Sequence, residues 1–337
     1  METPGIHIGS LGTFVPRLVT NESAEPGHLR GASLGDGTPA ITMAVDAARQ
    51  ALERWGRPTD LLRLLLYVDA YPSAPEGWSP SAYLQRELLH GDMLSTGLRD
   101  GCNGVFSALE LAAGQLMVRG GDTSALVVAA ENLESPLVDR WSVLEGFTMS
   151  DVATAMVLSR EPGFARLLSV TSGTVPELEQ LHRGDEPLNV SGLTLGRPLD
   201  FNSRIREFGR TRSFTPETAL LLFKSMKDVV DRALDEAGIG IGDVARVAMT
   251  NEPRRNVDER MKALGLPPEI STWDYGSTVG HSPSDQVLAL HRLVERGELV
   301  PGQHLLMIGI GPGLTYAAAV VEITDTPDWA SGAGRTA

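Results

Sequence analysis

The sequence is poor in cysteine, since Cys102 is the only one among 337 residues. A single cysteine excludes a disulfide within the chain, and disulfides are typical of secreted proteins. Long apolar runs are also missing: no stretch approaches the roughly 18 to 20 apolar residues that a membrane span needs. The N-terminal METPGIHIGSLG lacks the basic and apolar regions of a signal peptide. These absences predict a cytoplasmic protein that does not cross a membrane.

Basic residues are scarce, with 29 Lys and Arg against 43 Asp and Glu and a formal net charge of -14. Nucleic acid phosphates are bound by clustered Lys and Arg, so no nucleic acid partner is expected. The sequence has no ligand cluster with metal-site spacing and no dinucleotide-binding glycine loop, so neither a metal nor a bound redox cofactor is expected. Hydrophobic residues make up 42% of the chain, which is enough for the large core of a soluble globular protein.

The sequence does contain an alternation of helical and strand patterns, which predicts an α/β fold. Each half of the chain repeats this order, which indicates a duplicated fold with halves at 1–163 and 164–323. Residues 324–337 and 21–39 are polar and rich in glycine, and are expected to be disordered. Helices are expected at 40–55, 80–89, 216–238 and 285–297, and strands at 61–70, 124–132, 151–160, 243–251, 304–311 and 314–323.

Cys102 lies near the start of the segment DGCNGVFSALELAAGQLMVRGG, residues 100–121. Apolar residues then recur at spacings of three and four, which predicts a helix that ends at Gly120. The unpaired N–H groups and the dipole at a helix N-terminus favour a thiolate. The flanking Gly101 and Gly104 let an acyl group approach the backbone, and the cysteine N–H can donate to an oxyanion. A lone cysteine is often a small buried hydrophobe, but this turn favours a nucleophile.

This segment resembles the nucleophile elbow of ketoacyl-carrier-protein synthase III and its relatives in the thiolase superfamily. Three more segments resemble the family in the same order: LLLYVDAYPSAPEGWSPSAYLQREL, then VVAAEN with FTMSDVATAMVLS, then GIGPGLTYAAAVVEI. The match extends over nearly all of residues 1–323. The resemblance implies five alternating layers, αβαβα, and a tight homodimer. It also implies a donor thioester of coenzyme A or acyl carrier protein, whose acyl group arrives on a phosphopantetheine arm.

The family's condensing members use a histidine and an asparagine to stabilise the enolate formed by decarboxylation. The first position, in VAMTNEPRR, is Asn251 here, and the second, in DYGSTVGHSPSDQ, is Ser277, with His281 four residues on. Decarboxylative carbon–carbon bond formation is therefore not expected. His281 can instead act as a general base toward a hydroxyl or amine. The pattern GHxxxDQ resembles a divergent subgroup with a Cys-His-Asp triad, which esterifies sugars or other natural-product scaffolds or moves acyl groups between carrier proteins.

Asp285 is the candidate for the third member of such a triad, orienting the imidazole of His281. It can equally be a helix cap, because Ser282 fits an N-cap, Pro283 fits N1 and the carboxylate then stands at N3. The residue pattern leaves both roles open.

The oxyanion hole departs from the family pattern as well. Pro312 stands where the resemblance places a glycine N–H donor, and proline has no N–H. We expect Gly313 or the side chain of Asn251 to donate in its place.

The sequence thus predicts an acyltransferase in which Cys102 takes an acyl group from a thioester and His281 activates the acceptor. The expected acceptor is a hydroxyl or amine of a sugar-like or cyclitol-like natural product, or another carrier. Two alternatives stay open: a condensing synthase III with rearranged catalytic residues, and an inactive partner subunit of a synthase. The retained cysteine argues against the second. Residues 72–80 and 184–213 are expected to shape the pocket, with the second segment acting as a lid or dimer edge.

Overall fold

The computed structural model describes residues 1–71, 75, 77–89, 91–134, 138–186, 188, 198–211 and 215–330. Most strands of this part of the chain form one large sheet in the order β5-β4-β6-β7-β1-β8-β11-β10-β9, and β2 pairs with β3 separately. The strands are β1 (His7–Phe14), β2 (Arg17–Thr20), β3 (Gly31–Leu34), β4 (Leu62–Val68), β5 (Leu94–Leu98), β6 (Ser124–Glu131), β7 (Val152–Ser159), β8 (Ala165–Thr174), β9 (Val244–Met249), β10 (His304–Gly311) and β11 (Thr315–Ile323). The helices are α1 (Ala40–Trp55), α2 (Pro80–Leu88), α3 (Gly104–Arg119), α4 (Phe201–Thr211), α5 (Pro216–Ala237), α6 (Arg254–Ala263), α7 (Trp273–Val279) and α8 (Asp285–Glu295).

The large sheet consists of two halves with the same strand order. In the first half β4 and β6 are parallel, and β6, β7 and β1 follow as antiparallel neighbours. In the second half β9 and β10 are parallel, and β10, β11 and β8 follow as antiparallel neighbours. The halves join where His7 and Ile8 of β1 pair with Arg166 and Ala165 of β8. This repeated order is what a duplicated fold requires, and the predicted boundary after residue 163 falls between β7 and β8.

Helices cover both outer faces of the sheet and fill the space between its halves. Helix α1 packs on β1 and β7, and α5 packs on β8 and β11. Helix α3 contacts β4 and β6 of the first half and β8 of the second, whereas α8 contacts β1 and β7 as well as β9 and β10. Nearly all of α8 is buried, as a helix between the two halves of the sheet must be. The five alternating layers implied by the resemblance are confirmed.

Residues 21–39 are ordered, contrary to the prediction. Their centre is β3, which pairs with β2 and buries Ala32 and Ser33. A Cβ at Gly31 would lie 1.7 Å from the carbonyl oxygen of Thr278, so the glycine lets β3 contact the backbone of α7. The small and polar composition of this segment therefore reflects close packing of the backbone, not disorder.

The first residues of the predicted disordered tail are ordered, because Trp329 and Ala330 pack against the rest of the fold. The ring of Trp329 stacks on His291 at a centroid distance of 4.9 Å and contacts Phe164 edge-on, and Ala330 is buried. An aromatic side chain that packs on the core holds these residues in place. Residues 331–337, for which disorder was also predicted, lie outside the described residues.

Within the described residues, none of the helices combines the length and the apolar composition needed to cross a membrane.

Candidate active site

Cys102 lies in a short 3-10 turn, Gly101–Asn103, which leads directly into α3. The thiol is therefore at the N-terminal end of a half-buried helix, where the sequence places it. Gly101 has a φ of 52°, and a Cβ there would lie 2.6 Å from the ring of Pro312. Because both the left-handed backbone and the close contact exclude a side chain, the glycine lets the nucleophile turn pack against the C-terminal hairpin.

Three residues that the sequence analysis singled out form one continuous chain of hydrogen bonds. The Sγ of Cys102 lies 3.0 Å from Nε2 of His281. On the other side of the ring, Nδ1 lies 2.6 Å from Oδ2 of Asp285. Cys102 comes from the first half of the fold and the other two residues from the second. The arrangement has the order nucleophile, base and orienting carboxylate that acyl-transfer triads share.

The backbone fixes the position of His281 on the inner side of the cavity. Its N–H donates to the carbonyl oxygen of Thr148 at 2.7 Å, and the N–H of Ser150 donates to its carbonyl oxygen at 2.9 Å. The ring of Phe147 meets the imidazole edge-on at a centroid distance of 5.7 Å. Gly280 precedes it with a φ of 88°, and a Cβ there would lie 2.4 Å from Oγ of Ser150. The imidazole is thus held in place by contacts on several sides.

The carboxylate of Asp285 contacts both the imidazole and the turn that precedes α8. Its Oδ2 accepts hydrogen bonds from the His281 ring and from the backbone N–H of Asn251, the latter at 2.8 Å. Its Oδ1 accepts from the backbone N–H of Ser282 at 2.8 Å and from the Ser282 hydroxyl at 3.2 Å. Helix α8 begins at Asp285 itself with Ser284 as N-cap, so the predicted N-cap at Ser282 is wrong. One carboxyl oxygen holds the turn and the other holds the imidazole.

The electrostatics of the site favour a protonated imidazole when the sulfur is free. Burial by itself would lower the pKa of His281, because a desolvated ring resists charging. The negative charges of Cys102 and Asp285, together with the hydrogen bonds from both, outweigh burial and raise the pKa well above its ordinary value. The ring can therefore hold a proton next to the sulfur at neutral pH.

Asn251 takes a different position from the predicted one. Its side-chain N–H donates to the carbonyl oxygen of Gly280 at 2.7 Å, and a Cβ added at Gly276 would lie 2.1 Å from its Oδ1. Asn251 is also not among the residues that line the cavity described below. This geometry contradicts the predicted donation to an oxyanion. The amide instead holds the loop that precedes His281.

Replacing Asn251 by alanine tests this positional role. We expect the free energy of unfolding to fall by about 1 to 3 kcal/mol, because the buried carbonyl of Gly280 loses its donor. Acylation of Cys102 by a thioester should still be detectable by mass spectrometry, since the oxyanion contact does not depend on this side chain. A folded variant that no longer becomes acylated would restore the oxyanion role.

Ser277 does not reach the sulfur either. It is buried in α7, and its hydroxyl donates to the carbonyl oxygen of Asp274. By the resemblance, the family's asparagine corresponds to this position. In the fold it is His281 that lies beside Cys102.

The glycine-rich hairpin between β10 and β11 forms the opposite side of the site. Gly311 and Pro312 line the cavity, whereas Gly313 is not among the lining residues and has a φ of 78°. The absence of an N–H at residue 312 leaves the hairpin donor to a neighbour. Donation by Gly313 stays a prediction.

The cavity in front of Cys102 has a volume of about 940 Å³, which is within the range of small-molecule sites. Cys102, Gly101 and His281 form one part of its wall. Most of the remaining wall is apolar and comes from segments far apart in the sequence: Leu133, Val138, Val143, Leu144, Phe147, Leu181, Phe201, Ile205, Leu222, Phe223, Met226 and Leu314. An acyl group can be enclosed here.

The loop predicted to act as a lid contributes to this wall through α4, where Phe201 and Ile205 line the cavity. Within the two predicted loops, residues 72–74, 76, 187, 189–197 and 212–213 lie outside the described residues.

Sequence reasoning missed two polar elements of the wall. Arg260 donates to Glu252 at 2.7 Å in a largely buried ion pair. Glu131, at the end of β6, is almost fully buried and also lines the cavity. The one signal for Glu131 in the sequence is an acidic residue that ends the otherwise uncharged strand SALVVAAE.

Comparison with known protein families gives two matches. The family model of "3-Oxoacyl-[acyl-carrier-protein (ACP)] synthase III" matches residues 97–176, and the model of its C-terminal part matches residues 234–323. The β-ketoacyl-[acyl-carrier-protein] synthase III of Rhizorhabdus wittichii is 28% identical over 288 residues, which is 85% of each chain. The corresponding protein of Clostridium perfringens is 26% identical over 289 residues, 83% of this chain and 84% of the relative.

Solved structures agree with these matches. ChlB3, described as an acyltransferase, has 47% sequence identity to this chain, and its structure superposes with a TM-score of 0.91. The match covers 97% of this chain and 100% of the ChlB3 chain. The 3-oxoacyl-[acyl-carrier-protein] synthase III of Aquifex aeolicus has a TM-score of 0.74 at 21% identity and covers 94% and 99%. A Xanthomonas campestris OleA structure has a TM-score of 0.76 at 19% identity and covers 96% and 98%. The last two similarities concern the fold alone.

Proposed function

The chain belongs to the ketoacyl-carrier-protein synthase III-like group of the thiolase superfamily, and we propose that it is an acyltransferase that carries its acyl group on Cys102. The observation that carries the proposal is the uninterrupted chain from Cys102 through His281 to Asp285 at the wall of a largely apolar cavity. The similarity to a protein described as an acyltransferase supports it.

In the first step we propose that the sulfur of Cys102 attacks the thioester carbonyl of a coenzyme A or carrier-protein donor. The bond between that carbonyl carbon and the donor sulfur breaks. The departing sulfur takes the proton from Nε2 of His281 and leaves as a thiol. The acyl group is then a thioester of Cys102, and His281 is neutral.

The loss of charge on the sulfur prepares the second step. A thioester sulfur is uncharged, so one of the two negative charges that raise the pKa of His281 is gone. The pKa of His281 therefore falls on acylation, and a neutral imidazole becomes available as a base. The hydrogen bond to Asp285 keeps the ring in the same orientation. His281 takes the proton of an acceptor hydroxyl or amine, whose oxygen or nitrogen attacks the carbonyl carbon. The bond to Cys102 breaks, and the imidazolium again faces the free sulfur.

A decarboxylative reaction is the alternative that the family name suggests. It would need a group that stabilises an enolate at the position of Asn251, and the amide there already donates to Gly280. The imidazole of His281 is oriented by the carboxylate of Asp285, and this arrangement suits proton transfer from an acceptor. We therefore favour transfer to a heteroatom of the acceptor: the oxygen of a natural-product hydroxyl, the nitrogen of an amine or the thiol sulfur of a second carrier.

The homodimer implied by the resemblance remains a proposal. The sheet ends in the edge strand β5, where Leu94 is exposed, and an unpaired edge of this kind can pair with a second chain.

Trapping the acyl-enzyme tests the proposal. The protein is incubated with a panel of coenzyme A and pantetheine thioesters, and intact-protein and peptide mass spectrometry should find one acyl group on the peptide that contains Cys102. Adding alcohols, amines or a carrier protein should remove that mass and yield an ester, amide or new thioester. Release of carbon dioxide from a malonyl thioester together with a ketoacyl product would instead establish a condensing enzyme. Failure of every donor to acylate the folded protein would favour an inactive partner subunit.

A further inference from the structure

Glu131 is an acidic residue in the wall of the acyl cavity that the proposed mechanism does not use. It ends β6, is only 1% exposed and lines the same cavity as Cys102. Its Oε1 accepts hydrogen bonds from the backbone N–H groups of Ala70 and Tyr71. Its Oε2 is buried and has no hydrogen-bond partner within the described residues.

An unpaired carboxyl oxygen in such a position calls for a physical reason. A buried polar atom without a partner destabilises the fold, and nearly all such atoms in proteins are paired. An atom that is kept unpaired at the wall of a substrate cavity is therefore a candidate contact for the substrate.

The protonation state decides what kind of contact Glu131 can make. Burial raises the pKa of Glu131 to about 8, and the backbone donors of Ala70 and Tyr71 offset this only in part. Asp69 raises the pKa further and Arg99 lowers it, while these two residues pair with each other at 2.8 Å. Titratable groups that share the cavity wall with Glu131 include Tyr71, Cys102, Glu252, Glu259, Arg260 and His281.

At neutral pH the carboxyl group of Glu131 is thus an uncharged acid. Oε1, which accepts the two backbone N–H groups, is the carbonyl oxygen, and Oε2 carries the proton. An uncharged O–H group donates a hydrogen bond and does not repel a neutral ligand. The residues that follow in the wall, Leu133, Val138 and Val143, are apolar.

We propose that Glu131 is a specificity-determining residue that donates a hydrogen bond from Oε2 to an oxygen atom carried by the acyl group. The substrate class is then an acyl group with a hydroxyl, keto or ether oxygen, in preference to a plain hydrocarbon chain of the same length. A buried donor beside an apolar stretch of the wall discriminates in this way, because a chain without the oxygen leaves the donor unpaired. The inference rests on the proposed function, since it assumes that the acyl group on Cys102 occupies this cavity.

The test compares acyl groups that differ by one oxygen. Cys102 is acylated with hexanoyl pantetheine thioesters that are unsubstituted or carry one hydroxyl at successive carbons, and the second-order rate of each is followed by intact-protein mass spectrometry. The wild-type protein should prefer at least one hydroxylated member by about 10-fold or more. Glu131→Leu should bring that ratio close to one. Glu131→Gln, which has nearly the same shape and an N–H donor, should keep part of the preference.

The pH dependence gives a readout that does not rely on the leucine variant folding. As the pH rises from 7 to 9 the wild-type carboxyl loses its proton and its donor, so the preference should fall. In Glu131→Gln the preference should not change over this range. Glu177→Gln, which alters an exposed glutamate that is not in the cavity wall, should behave as the wild type does.

Two results would overturn the inference. One is a wild-type protein that becomes acylated equally well by every member of the series at pH 7. The other is a hydroxyl preference that is as large in Glu131→Leu as in the wild type, or one that does not change with pH in either Glu131→Gln or the wild type. Either observation would assign the selection to other residues. In both cases Cys102 still becomes acylated, so the proposed function would stand. Absence of acylation by any thioester would refute the proposed function itself.

Discussion

A Cys102→Ala protein is expected to form no acyl-enzyme and to lose acyl transfer by a factor on the order of 10⁵ to 10⁶, as when the nucleophile of a triad is removed. The methyl group of alanine occupies the position of the thiol without a nucleophilic atom. Because Cys102 is the only cysteine of the chain, no other thiol can take over, and a thiol reagent that labels the protein reports on this residue alone.

Cys102→Ser is the matched variant for this experiment. It restores an atom that can reach His281 and attack a thioester, so it should acylate slowly and form an oxygen ester in place of a thioester. The far-ultraviolet circular dichroism of both variants should equal that of the wild type. Transfer by Cys102→Ala within 10-fold of the wild-type rate would contradict a covalent intermediate on this residue.

The second large effect is expected for His281→Gln, which should lower transfer from the acyl-enzyme by about 10³-fold or more. Glutamine can keep a polar contact with Asp285 but cannot take up a proton. The neutral ring is the base, so wild-type transfer should rise as the pH increases through the pKa of His281 in the acyl-enzyme and fall below it, whereas the residual rate of the variant should lack this step.

Two further variants serve as comparisons. Asp285→Asn keeps the size of the side chain but can donate to Nδ1 and so stabilise the wrong tautomer, and it should lower transfer by about 10² to 10⁴-fold. His304→Gln changes a histidine at the start of β10 that does not line the cavity, and it should leave transfer unchanged. A His281→Gln protein that passes its acyl group on at the wild-type rate would exclude the imidazole as the base.

The parts of the site that the sequence revealed are those encoded locally. The helix after Cys102 and its glycines are visible as a pattern, and so is the short segment that links His281 to Asp285. Both depend on residues within a few positions of each other. The direction of the Asn251 side chain does not, because it is determined by Gly276 and Gly280, which come close to it only in the folded chain.

The same limit explains the strands that the sequence analysis omitted. β1 contains polar residues and glycines in the sequence HIGSLGTF and does not read as a buried strand. In the structure a Cβ at Gly12 would lie 2.0 Å from the carbonyl oxygen of Ala47, and one at Gly9 would lie 2.8 Å from the ring of Trp55. The glycines let α1 pack directly on the strand, and this contact is invisible before the helix is placed.

The cavity was the least predictable feature. Its wall combines the ends of β4 and β6 with residues of α4, α5 and α6 and with the hairpin after β10. Apart from α4, which lies in the segment expected to shape the pocket, these segments carry no pattern that indicates a pocket. Glu131 gains its meaning only from the burial of its carboxyl group. The chemistry of the nucleophile could be inferred from residue order, whereas substrate selection depends on the assembled wall.

Rapid-quench analysis of a single turnover tests the central claim most directly. The protein is mixed with a limiting amount of donor that carries a radiolabelled acyl group, an acceptor identified by acyl-enzyme discharge is present, and protein-bound label and product are measured over time. We expect label to appear on Cys102 before product forms. After a chase with unlabelled donor, all of the bound label should pass into product. Product that forms before any label is bound, or bound label that persists while product accumulates, would contradict this expectation.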